Sequence, residues 1–66
     1  MITINGCAAP HAEGMTVATY LEQEGYNPVR IAVELNEVIL TKAEYDTTSI
    51  KDGDVMEIVQ FMGGGQ

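Results

Sequence analysis

Three consecutive glycines, Gly63-Gly64-Gly65, follow directly on the strand-like run Val59-Gln60-Phe61-Met62 and are followed by Gln66. Glycine has no Cβ and visits positive φ freely, so three in a row cannot be held in one conformation by local forces. A frayed terminus is the plain reading. Against it, none of the Ser, Lys or Glu that fills a disordered linker is present. A tail this thin, anchored at its root, can be threaded into the narrow site of another protein. Two other groupings could carry chemistry. Cys7 and His11 could act as nucleophile and base, but nothing marks a third, orienting group and a short exposed hairpin offers no pocket. Asp52-Gly53-Asp54 presents two carboxylates, without the further oxygen donors of a calcium loop. One Cys and one His fall short of the four ligands of a structural zinc site. No catalytic residue and no metal are expected.

Composition narrows the partners. With 66 residues, of which 45% are hydrophobic, the chain reads as one small globular domain. At this size folding buries only about 60% of the unfolded surface, so the core is expected to be small. The lone Cys7 cannot form an internal disulfide, which makes a reducing, cytoplasmic setting the expectation. Ten Asp plus Glu against three Lys plus Arg give a formal charge of -7. Such a surface repels phosphates, which argues against nucleic acid and against anionic membranes. No apolar run approaches a membrane span, and the first residues, Met1-Ile2-Thr3-Ile4-Asn5, lack a signal peptide's basic start. A protein with a basic face is the expected partner.

The elements that must position the tail follow from periodicity. Ile2 and Ile4 share one side of a strand over residues 1–4, and Asn5-Gly6 is the strongest short hairpin signal. Residues 7–13 should return as a second, weaker strand, with Pro10 at an edge or a bulge. Gly14 breaks it. Thr16 can cap a helix over residues 17–24, stopped by Gly25, with Val17, Tyr20, Leu21 and Ala18 on its buried stripe. So short a helix must lie across a sheet. After Tyr26-Asn27-Pro28, residues 29–36 alternate cleanly, with Ile31, Val33 and Leu35 on one side. That marks a central strand with one wet face. Asn36-Glu37 reverses the chain into a short strand over residues 38–40. Residues 41–49 show no period, and Tyr45 and Ile50 are expected to pin this crossover to the core. Asp52-Gly53-Asp54 turns into the last strand, residues 55–61. There Met56 and Ile58 share the helix side, so the same parity sends Val59 and Phe61 outward with Glu57. Val59 and Phe61, with Met62 beside them, are the expected docking patch at the root of the tail.

The sum is an α+β domain over residues 1–62, a mixed sheet of four to five strands with one main helix across one face, and a flexible tail over residues 63–66. In that order, several stretches resemble the small β-grasp sulfur carriers of the ThiS and MoaD type, most closely those of thiamine biosynthesis. They are Ile2-Thr3-Ile4-Asn5-Gly6, Thr16-Val17-Ala18 with Leu21, Ile31-Ala32-Val33-Glu34-Leu35-Asn36, and Asp52-Gly53-Asp54-Val55-Met56-Glu57-Ile58-Val59 running on to the glycines.

The resemblance implies a ubiquitin-like β-grasp fold and a carrier cycle. An E1-like adenylating enzyme uses ATP to adenylate the terminal glycine carboxylate, and sulfur from a cysteine-desulfurase-derived persulfide displaces AMP. The thiocarboxylate is then delivered to thiazole synthase. The chain would be a co-substrate, not an enzyme, and would bind no cofactor itself, ATP being used by the partner. On this pattern Gly65 is the activated residue, with Gly64 and Gly63 as the tail. Three extended residues reach about 10 Å, with no side chain to obstruct their passage. Gln66 departs from the pattern, because an amide-linked residue blocks the carboxylate to be adenylated. A peptidase trims it, it is foreign to the natural chain, or the chain is a diverged carrier with another fate. The alternatives are a sulfur carrier for molybdopterin synthesis and a ubiquitin-like protein modifier.

Overall fold

Asn5 and Gly6 both adopt positive φ, 53° and 81°, and this tight turn reverses the chain between β1 (Thr3–Ile4) and β2 (Cys7–Ala8). A computed structural model describes residues 1–61, so the expectations for Met62, the glycines and Gln66 lie outside the described residues. The return strand expected over residues 7–13 is only two residues long. Pro10 has no N–H to give a ladder and a φ suited to the first position of a helical turn, so the chain curls instead into a 3₁₀ turn, Pro10–Ala12. The turn carries Ala12 into the core, where it is fully buried together with Ala9.

Helix α1 (Val17–Gln23) starts where its cap requires. The Thr16 hydroxyl accepts from the Thr19 N–H at 3.1 Å, and Gly25 ends the helix at φ 83°. Val17, Tyr20 and Leu21 are buried and Ala18 is half-buried, as the stripe requires. Pro28–Arg30 forms a second 3₁₀ turn capped by Asn27, whose side-chain oxygen accepts from the Val29 N–H at 3.0 Å. That turn takes Val29 out of the expected strand, and β3 runs only over Ile31–Leu35. Asn36 and Glu37, at φ 52° and 70°, supply the expected reversal into β4 (Val38–Ile39). The unpatterned stretch that follows is not plain loop. Thr41 and Glu44 form a reciprocal capping box around a 3₁₀ turn, Lys42–Glu44, and Tyr45 and Ile50 are buried as expected.

The last strand, β5 (Val55–Gln60), occupies the middle of a five-stranded sheet of order β2-β1-β5-β3-β4. Thus β3 is an interior strand, but not the central one. The β1·β5 pair is parallel and the other three pairs are antiparallel, so the sheet is mixed. The core lies between α1 and one sheet face, around Ile2, Leu21, Ile31, Val33, Ile50 and Met56. The opposite face carries no helix among the described residues.

Candidate functional site

The site is assembled at the C-terminal end of β5. Met56 and Ile58 are buried on the helix side, and the alternation places Glu57, Val59 and Phe61 on the other face. Val59 and Phe61 are 57% and 50% exposed, as the parity of the strand requires. The Phe61 N–H donates to the Arg30 carbonyl at 2.8 Å, which extends the ladder with β3 one residue past the strand. On the other side, β1 stops at Ile4 and the Asn5 side chain takes over. Its Oδ1 accepts from the Ile58 N–H at 2.7 Å. The root of the tail is therefore gripped on both sides up to Ile58 and on one side up to Phe61.

The remaining candidates lie elsewhere, and all but Cys7 are otherwise engaged. Cys7 is exposed on β2. His11 faces the helix: its Nε2 lies 3.4 Å from Glu24 and its ring 5.8 Å from that of Tyr20. Asp52 pairs with the Met1 ammonium, whose hydrogen bond and charge hold the carboxyl below its ordinary range. Asp54 closes the turn, accepting from the Lys51 N–H at 2.8 Å and from the Asn36 side-chain amide at 3.0 Å. The two carboxylates thus serve the turn and its neighbours. Burial, then Glu24, push the Tyr20 phenol above its ordinary value. Among the described residues no group of three or more His, Cys, Asp or Glu is placed to hold a metal ion.

Two features escaped the sequence reading. One is an apolar hollow of about 380 Å³ beside the end of α1, lined by Ala18, Glu22, Gly25, Tyr26, Pro28 and Tyr45. The other is a cross-strand pair of carboxylates, Glu34 opposite Glu57, on the sheet face that bears Val59.

A mixed five-stranded sheet crossed by one helix, with its central last strand running out toward a glycine tail, defines the β-grasp class. A crystal structure of the thiamine biosynthesis protein ThiS from Geobacter metallireducens matches it with a TM-score of 0.77 at 36% identity, covering 97% of each chain. The family model for the ThiS family matches residues 2–65, and the chain belongs to that family. The sulfur carrier protein ThiS of Thermus thermophilus is 38% identical over 65 residues, covering 98% of this chain and all of that protein. The thiazole synthase of Paramagnetospirillum magneticum is 39% identical over 64 residues, or 97% of this chain and 20% of that protein. The chain thus spans about a fifth of that thiazole synthase's length, and likewise 20% of the Magnetococcus marinus thiazole synthase. No helix among the described residues is long and apolar enough to cross a membrane.

Proposed function

We propose that this chain is a sulfur carrier for building the thiazole of thiamine, a co-substrate acted on by other proteins and not a catalyst. The observation that carries the reading is the family match, which runs through Gly65 and stops short of Gln66, on a fold whose central strand leads into the glycines. In the carrier cycle Gln66 is removed and the Gly65 carboxylate is adenylated by an E1-like enzyme that consumes ATP. A carboxylate is a poor electrophile and its acyl adenylate a good one. The outer sulfur of a persulfide derived from a cysteine desulfurase then displaces AMP to give an acyl persulfide. A second thiol cleaves its S–S bond, forming a disulfide with the donor cysteine and releasing the C-terminal thiocarboxylate. Gly63 and Gly64 give the passage its narrow bore, while Val59, Phe61 and Met62 form the docking collar. The acceptor is thiazole synthase, a choice supported by the two thiazole synthases that contain a segment similar to this whole chain.

Intact mass spectrometry tests this reading. The chain ending at Gly65 is incubated with the E1-like enzyme, ATP and a sulfur donor. Exchange of one oxygen for sulfur is the expected outcome, whereas the chain retaining Gln66 stays unmodified. An unchanged mass for the chain ending at Gly65 would overturn the proposal. Covalent conjugates to lysines on a denaturing gel would point to a protein modifier instead.

A further inference from the structure

The open face of the sheet has an arrangement that folding alone does not explain. Along β5, Val55, Glu57, Val59 and Phe61 point away from the helix. In the β3·β5 register Ala32 lies opposite Val59 and Glu34 opposite Glu57, while in the β3·β4 register Ile39 lies on the far side of Glu34. Directly opposed residues of an antiparallel pair hold their Cβ atoms about 4.5–5.5 Å apart, and like charges there are destabilising. Among the described residues neither carboxylate is in an ion pair. Lys42 is turned elsewhere, its Nζ donating to the Pro28 carbonyl at 2.6 Å and lying 5.6 Å from the centre of the Tyr45 ring. Arg30 stands at the Phe61 end of the face, where its carbonyl takes the Phe61 N–H. The two carboxylates therefore sit in the middle of a surface whose exposed neighbours are Val55, Val59, Phe61 and, at 71% exposure, Ile39.

We propose that this face receives the E1-like enzyme that takes up the glycine tail, and that a basic side chain of that enzyme lies across Glu34 and Glu57. The identity of the partner as the enzyme that adenylates the tail rests on the carrier reading given above. Charge complementarity selects the occupant. A second copy of this chain, turned face to face, would bring the same two carboxylates against their own kind. Nucleic acid and anionic lipid repel a chain of net charge -7. A protein surface that carries an arginine among apolar side chains satisfies every part of the patch. The guanidinium fork bonds carboxylates in its own plane, and Val59, Phe61 and Ile39 exclude water from around it. The partner's cation removes the repulsion that the isolated sheet carries.

The test uses the full chain ending at Gly65 and the E1-like enzyme, with the rate of adenylate formation and calorimetric titration as separate readouts. The double variant Glu34→Gln, Glu57→Gln is compared with Glu13→Gln, Glu22→Gln, which removes the same charge away from this face. The sheet-face variant is expected to raise KM for the carrier about tenfold with kcat unchanged and to flatten the dependence of KM on salt, whereas the control shifts KM less than about twofold. Its melting temperature should equal or exceed that of the unmodified chain, so that weak binding is not misfolding. An unchanged KM, or an equal rise in the control, would overturn the proposal. Calorimetry separates this failure from failure of the carrier chemistry. If no adenylate forms even on the unmodified chain, weaker binding by the sheet-face variant alone still supports the docking face, and equal binding by all three chains overturns it.

Discussion

Asn5 shows how much one side chain can contribute at the root of the tail. It turns the first hairpin at φ 53° and also supplies the acceptor that β1 no longer offers to the Ile58 N–H. Asn5→Ala leaves that part-buried donor unpaired and forces a Cβ residue without a local hydrogen bond into the left-handed region. We expect a loss of about 1–3 kcal/mol in urea denaturation. Asn5→Gly, which relieves only the backbone strain, should recover part of it. Phe61 is a different case, because it is half exposed and contributes little to the core. Phe61→Asp should leave the melting temperature nearly unchanged and weaken binding to the E1-like enzyme in calorimetry; unfolding of the variant would show that Phe61 is a core residue. Tyr20 titrates at the alkaline end. Its raised pKa means that the fold favours the neutral phenol, so its contribution is complete below the ordinary tyrosine value of 10.0 and is lost as pH rises through the higher folded value. Tyr20→Phe should flatten that alkaline limb in a series of thermal melts.

At the scale of elements, α1 is seven residues long and depends on its cap and its packing. Thr16→Ala removes the acceptor for the Thr19 N–H and should cost about 1 kcal/mol, read as a lower melting temperature. Thr16→Ser should restore most of it. This helix was legible in the sequence because every signal for it is local: the cap, the stripe, the stopping glycine. The same holds for β5, where Glu57 marks the wet side and strand parity places Val59 and Phe61 on that side with it. The segments that misled are those where a proline or a short cap outweighs the period. Pro10 and Pro28 each open a 3₁₀ turn in place of strand, and the Thr41–Glu44 capping box organises a stretch with no period at all. The opposition of Glu34 and Glu57 was hidden for another reason. It depends on the register between two strands far apart in the chain, which no local pattern encodes.

For the molecule as a whole, charge sets two effects of opposite sign. The formal charge of -7 is spread over a body with a radius of gyration of 11.3 Å. At an ionic strength of 0.01 M the screening length is about 30 Å, so every carboxylate repels every other across the whole domain; at 0.1 M it is about 10 Å and at 1 M about 3 Å. Most of the relief of self-repulsion should therefore come between 0.01 and about 0.1 M, where the screening length falls to the size of the molecule. Attractive pairs oppose this trend, but the described ones are few and exposed. Met1–Asp52 lies at the surface, and His11–Glu24 needs a protonated imidazole. Repulsion should prevail, and the melting temperature should rise with salt over that range. Binding to a basic partner should weaken over the same range, because screening removes the long-range attraction that steers encounter. One salt titration, followed by calorimetric melting and by the association rate with the E1-like enzyme, reads both. A melting temperature that falls with salt would show that the surface pairs outweigh the net charge. An association rate indifferent to salt would show that the acidic surface serves solubility alone.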